Sequence, residues 1–243
     1  MSAAELEVLW HDLECGGYAE DLPLWRALAA ETGGPVLDVG AGTGRVSLDL
    51  AEHGHEVVAL DVSEPLLRAL RRRARRRRLD VAVVAADARE LRLARRFGAI
   101  IVPMQTLQLL GGAAGRAAFF AAAREHLRPG GLVAAALADA LEGFDAEHTE
   151  PPLPDIREVD GTVYASRPVA VREAEHAVSI ERIRETVDRA GRRTAEANVI
   201  WLDRVDAAQA AAEGAAAGLT PEHARSVPPT DEYVGSQVVV LRG

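Results

Sequence analysis

The stretch Val36-Leu-Asp-Val-Gly-Ala-Gly-Thr-Gly-Arg-Val46 places glycines at 40, 42 and 44, directly after an apolar run. Such a run reads as a short buried strand, and the glycines let the chain turn sharply into a following helix. A strand–turn–helix joint of this kind begins a βαβ unit. It presents backbone N–H groups and a helix N-terminus to a ligand. Two common ligand loops do not fit. The dinucleotide fingerprint needs a third small residue three places after the second, where this chain has Arg45. A phosphate-binding loop needs Gly-Lys-Ser/Thr, which is missing.

The joint is repeated along the chain. Apolar runs at 36–39, 56–60, 81–85, 99–103 and 132–137 alternate with amphipathic stretches at 45–53, 64–78 and 115–127. That alternation predicts an α/β fold with a parallel sheet covered by helices on both faces. Arg128-Pro-Gly-Gly131 stops the last of these helices. After Glu150-Pro-Pro-Leu-Pro-Asp155, a proline-rich connector, the rhythm changes. Runs at 162–171, 177–187 and 198–203 read as antiparallel strands, with Asp188-Arg-Ala-Gly191 as one turn. A helix at 205–217 stopped by Gly218 and a core strand at 237–241 close the chain. Residues 1–30, with Trp10, Leu13, Tyr18, Leu22, Leu24 and Trp25, read as helices over the sheet edge. One domain is expected across 1–243, made of helices and lid (1–34), a core (35–138), an inserted ribbon (160–203) and a closing segment (204–243).

Composition narrows the function. A formal charge of −9 argues against a nucleic-acid or anionic-membrane binder. All 28 basic residues are Arg, and the run Arg71–Arg78 reads as the solvated end of a helix. One cysteine, Cys15, leaves no internal disulfide and suits a reducing compartment. Acidic residues at 5, 7, 12 and 14 break any signal-peptide pattern, and no apolar span reaches the ~18 residues of a membrane helix. A cytoplasmic protein, monomer or homodimer, with no membrane or nucleic-acid partner is expected.

Three acids stand at the carboxyl ends of the first three strands: Asp38, Asp61 and Asp87. Ligands bind open α/β sheets at those ends. Each acid also has an ordinary reading, as a helix cap or a turn residue. Taken with the glycine spacing, the sequence from Val36 to about 137 resembles a class I S-adenosylmethionine-dependent methyltransferase of the small-molecule type. The resemblance implies a Rossmann-like, mostly parallel seven-stranded sheet carrying the antiparallel β insertion. It implies S-adenosyl-L-methionine as cofactor and S-adenosyl-L-homocysteine as product. Gly40, Ala41, Gly42 and Gly44 would lie along the methionine part, with Asp38 at its ammonium end. Asp61 would accept the ribose hydroxyls, Asp87 the adenine amino group, and the Ala88 N–H would serve a ring nitrogen. Leu66 would pack on the adenine, and Val62, Pro103, Met104 and Tyr18 complete the implied cofactor set.

Methyl transfer from a sulfonium relies mainly on positioning and desolvation, and a base is needed only for a protonated acceptor. The acceptor, a small molecule methylated on nitrogen or oxygen, is expected where the fourth and fifth strands end. Residues 102–108, with Gln105 and Gln108, and residues 139–145 qualify. Catalytic candidates are Tyr18, Gln105 and His11, with His148 a further acid–base candidate. The histidines show no metal spacing, so no metal is expected. The alternative reading is a non-catalytic cofactor-binding or assembly module. The inserted ribbon reads as a lid or a subunit contact.

Overall fold

The computed structural model describes residues 1–138, 143–148, 152–230 and 235–243. Its centre is a parallel sheet of β1 (Val36–Val39), β2 (Val57–Asp61), β3 (Val81–Ala85), β4 (Phe97–Val102) and β5 (Leu127–Leu137). The spatial order is β3-β2-β1-β4-β5, extended by the antiparallel β13 (Ser236–Arg242) and then by β11 (Thr220–Pro221). β12 (Arg225–Val227) also pairs with β13, so the expected seven-strand path carries one extra short strand. The order reverses between β1 and β4, and the carboxyl ends of these strands open a crevice there.

Both sheet faces are apolar because successive side chains point to opposite sides. Leu37, Val39, Ile100, Val102, Val133 and Val239 pack under α5 (Gly112–His126) and α6 (Ala207–Ala216), with Phe119 and Phe120 fully buried. The alternate residues, Val36, Ala99, Ile101 and Ala134, pack under α2 (Leu22–Thr32) and α3 (Arg45–Glu52). Ala59 meets Leu67 and Leu70 of α4 (Glu64–Arg77). Ser63 caps α4, its Oγ accepting from the Leu66 N–H. The arginine run does end this helix. There Arg72, Arg75 and Arg76 are exposed, while Arg73 and Arg77 pair with Asp12 and Glu52.

The insertion is a second sheet. β8 (Thr162–Glu173), β9 (Ala177–Val187) and β10 (Arg193–Asp203) form the antiparallel ribbon, closed at one end by Asp188, whose Oδ1 accepts from the Ala190 and Arg192 N–H groups, both at 2.9 Å. β7 (Asp155–Val159) and β6 (Phe144–Asp145) pair with β8 to make five strands. The segment read as a proline-rich connector therefore leads straight into a strand at Asp155. Residues 139–142 and 149–151, part of the candidate acceptor loop and of that connector, lie outside the described residues. The ladder shifts register between Pro168 and Ala170, beside a proline, a residue that sheets accommodate at edges and bulges. Among the described residues no helix is long and apolar enough to cross a membrane.

The ribbon is held at two ends. Toward α1 (Ala3–Cys15), the buried Glu14 carboxylate accepts from Arg184 Nε (2.8 Å), Arg184 Nη2 (2.7 Å) and Ser166 Oγ (2.6 Å). Beside it Trp10 packs edge-on against Tyr164, with ring centroids 5.7 Å apart. Toward the core, Arg116 Nη1 donates to Asp203 Oδ2 at 2.9 Å, and Gln108 Nε2 donates to the Asp203 carbonyl at 3.1 Å.

Candidate active site

The crevice opens into a cavity of about 470 Å³ whose floor is the carboxyl edge of the sheet. Gly40 and Ala41 turn away from β1 with their N–H groups donating to the Leu60 carbonyl at 2.8 and 3.0 Å. Gly40, Gly42 and Gly44 all have positive φ, at +71°, +54° and +96°, which only glycine adopts without strain. Their α-carbons are also crowded. A Cβ on Gly42 would stand 2.3 Å from His11 Nε2, and one on Gly40 would stand 2.5 Å from Thr106 Oγ1. Neither Gly42 nor Gly44 lines the cavity, while Gly40 and Ala41 do. Close approach at this loop is thus in part the approach of α1.

Asp61 ties the first two loops together. Its Oδ2 accepts from the Gly42 N–H and its Oδ1 from the Ser63 N–H, both at 2.8 Å. A carboxylate oxygen has two lone pairs, so each oxygen keeps one for a further donor in the cavity. Asp38 is buried beneath the loop. Its Oδ2 accepts from Ser47 Oγ at 2.6 Å, while its buried Oδ1 has no partner. Burial pushes its carboxyl up to about 7, only partly offset by Ser47 and the nearby Arg45. Asp87 ends the third loop and accepts from the Arg89 N–H (2.8 Å), Nε (2.9 Å) and Nη2 (2.6 Å), which hold its carboxyl below the usual range. Val62, Leu66, Ala88, Pro103 and Met104 also line the cavity, as do Asp38, Asp61 and Asp87. Met104 takes a left-handed φ of +56°, a strained conformation for a side-chain-bearing residue.

The acid–base candidates separate. His11 and Gln105 line the cavity. Burial outweighs the neighbouring Asp12 and Asp61 carboxylates and lowers the His11 pKa, so its ring is neutral near pH 7; its Nδ1 is buried without a partner. Tyr18 is placed elsewhere. It lies behind the loop, its ring 5.1 Å beneath the Arg45 guanidinium, in a separate depression. Gln108 is buried below the crevice, where its Oε1 accepts from the Ala138 N–H at 2.8 Å. His148 stands outside the cavity beside Asp145 and Glu147; their potential ligand atoms lie within 4.8 Å of one another, on a largely exposed surface.

The roof went largely unread in the sequence. Ile180 and Arg182 of β9 and Ile200 and Leu202 of β10 close the cavity from above, and Glu14 and Cys15 close it from α1. The two-residue spacing within each strand was the available signal, but which strand face turns inward is set by contacts distant in sequence. Burial pushes the Cys15 thiol up to about 11, so it stays protonated at neutral pH.

Residues 36–131 match the model of a methyltransferase domain family. Among the curated proteins, a cypemycin N-terminal methyltransferase from Streptomyces is 35% identical over 139 residues, 56% of each chain. The aligned region thus spans little more than half of that relative's length. Two solved structures superpose over nearly the whole chain. The sugar N-methyltransferase KedS8 from Streptoalloteichus has a TM-score of 0.74 at 22% identity, covering 98% of this chain and 93% of its own. CalS10, an amino pentose methyltransferase from Micromonospora echinaspora solved with bound S-adenosylmethionine, has a TM-score of 0.70 at 21% identity, covering 100% and 98%. The chain has the fold of the class I methyltransferases, and its core matches a methyltransferase domain. Its mostly parallel sheet with an antiparallel β insertion is the fold that the resemblance implied.

Proposed function

We propose that the chain is an S-adenosylmethionine-dependent methyltransferase that transfers a methyl group to the nitrogen or oxygen of a small molecule, nitrogen being favoured. The observation that carries this reading is the unpartnered, buried Asp38 Oδ1 at the edge of a cavity that also holds Asp61 and the Asp87–Ala88 turn. A buried acceptor left unsatisfied costs free energy, and an ammonium group or its bound water would satisfy it. Asp61 would take the ribose hydroxyls on its remaining lone pairs, Asp87 and Ala88 the adenine edge, and Leu66 its face. The donor sets therefore fit the cofactor. The matched domain family, and relatives named for N-methylation, support the same reading.

Bound S-adenosylmethionine would supply an electrophilic methyl group. This chain's residues would do the rest. The glycine loop and the acids orient the cofactor, while the Ile180, Ile200 and Leu202 roof excludes water. Apolar walls disfavour an ammonium, so an amine acceptor enters neutral with its lone pair free. His11, neutral and cavity-lining, takes the proton the product sheds. The chain acts as one domain, with residues 1–34 and 160–203 as its roof. The single cysteine fits a cytoplasmic setting, and monomer and homodimer both suit the roof.

Calorimetric titration with S-adenosylmethionine, followed by mass-spectrometric detection of S-adenosylhomocysteine with a pool of small amines, tests the proposal. Saturable binding and product formation are expected. Absence of cofactor binding by the folded protein overturns it.

A further inference from the structure

The roof carries polar groups that no part of the proposed cofactor uses. Arg182 is a cavity-lining residue whose side chain is only 13% exposed. Its Nε donates to Ser166 Oγ at 2.8 Å, and its Nη2 donates to Asp155 and, at 3.5 Å, to the Ser166 carbonyl. Nη1 has no protein acceptor among the described residues. Directly across the ladder, Asn198 pairs with Arg182, and its Oδ1 is buried with no partner. Asn198 continues the strand face that Ile200 and Leu202 present to the cavity, two residues further along. A spare donor on cavity-lining Arg182 and a spare acceptor on Asn198 therefore stand at paired positions of one strand face, next to the apolar roof residues Ile180, Ile200 and Leu202.

The charge at this end is already balanced. Arg182 sits against Asp155 and lies 3.7 Å from Glu14, while Arg184 pairs with Glu14 at 2.7 Å. Two guanidinium groups thus meet two carboxylates. An anionic group would enter a site with no net positive charge to offset its desolvation. A hydroxyl fits better, since its oxygen accepts from one group while its hydrogen is donated to the other. Resting on the methyltransferase reading, we propose that Arg182 and Asn198 determine acceptor specificity: they hold a hydroxyl group on a neutral amine acceptor, with its apolar body against Ile180, Ile200 and Leu202.

The test uses three matched probes on the full chain saturated with S-adenosylhomocysteine: trans-4-aminocyclohexanol, cyclohexylamine and trans-4-aminocyclohexanecarboxylate. Affinities are read by calorimetry or saturation-transfer NMR, so turnover is not required. The aminocyclohexanol should bind about tenfold more tightly than cyclohexylamine, the gain expected when a hydroxyl satisfies a charged donor. Arg182→Leu and Asn198→Leu should each abolish that preference while leaving S-adenosylhomocysteine affinity unchanged. Loss of packing alone would weaken all three probes together and keep their ratio. Should Arg182→Leu fail to fold, the comparison in the unaltered protein and in Asn198→Leu still decides. Equal affinities, a preference for the carboxylate, binding of none of the probes, or a preference that survives both variants overturns the inference. Failure to bind S-adenosylhomocysteine at all would instead sink the methyltransferase reading beneath it.

Discussion

The floor and the roof of the cavity are built by different rules. On the floor, each acid stands at or just past the carboxyl end of a parallel strand, and its partners are near in sequence or on the adjacent loop: Ser47 for Asp38, Gly42 and Ser63 for Asp61, Arg89 for Asp87. On the roof, α1 meets a ribbon more than a hundred residues away, through Glu14 with Ser166 and Arg184. The floor is dictated by backbone geometry and so recurs across an architecture. The roof is held by individual side-chain pairings, and under the proposed function it is where one acceptor would be told from another.

The roof is accordingly the place where one substitution should cost the most stability. Burial alone would raise the Glu14 pKa, but hydrogen bonds from Arg184 and Ser166 outweigh it and keep the carboxylate ionised. Glu14→Ala leaves the Arg184 guanidinium without its counter-charge. Breaking a buried pair from one side costs about 3–5 kcal/mol, read by denaturant unfolding. Hydrogen exchange should rise in β8 and β9 well before β1 and β4. Uniform exchange across both sheets would mean that floor and roof unfold as one unit.

The next effect lies where the two regions touch. Gly42→Val puts a branched side chain at φ +54° and against the His11 ring. Cofactor affinity should fall by about 3 kcal/mol, from backbone strain together with the clash. Adding His11→Ala should recover the steric part and not the strain. A double variant no better than the single one would show that α1 does not press on the loop. Smaller again is Asp61→Asn, which replaces one acceptor oxygen by an NH₂ facing a backbone N–H. A loss of about 2 kcal/mol in calorimetric affinity is expected with the fold intact.

The same contrast explains what was legible. Glycine spacing and strand-end acids locate the floor because φ > 0 and the carboxyl edge of a parallel sheet are local consequences of sequence. Strand β10 shows the limit. Residues 193–197, Arg-Thr-Ala-Glu-Ala, carry no large apolar residue, and their strand is imposed by pairing with β9. Gln108 and Tyr18 mislead for a related reason. Both sit close in sequence to cavity residues, yet Gln108 is consumed by the Ala138 backbone and Tyr18 lies under Arg45. Sequence proximity to a site does not tell which way a side chain turns, and burial decides that.

The smallest expected effect sharpens the account of the floor. Folding raises Asp38 from an ordinary 3.8 to about 7. The protonated form is thus favoured in the ligand-free protein; this group's contribution to stability is full below about pH 4 and is lost as pH rises through 7. Cofactor binding should work the other way, since an ammonium beside Oδ1 favours the carboxylate. Below pH 7, binding must then release a proton. Affinity should climb by up to about tenfold per pH unit and flatten above 7, leaving only about a twofold gain between pH 7 and 8. Calorimetry at pH 6 in two buffers of different ionisation enthalpy counts that proton directly. Asp38→Asn should bind more weakly, with no proton release and a flat profile over pH 5.5–8, a range about 1.5 units below and 1 above the raised pKa. If the unaltered protein releases no proton at pH 6 while Asp38→Asn still binds more weakly, the ammonium lies elsewhere. The orphaned oxygen would then act on the loop through Ser47 rather than on the ligand.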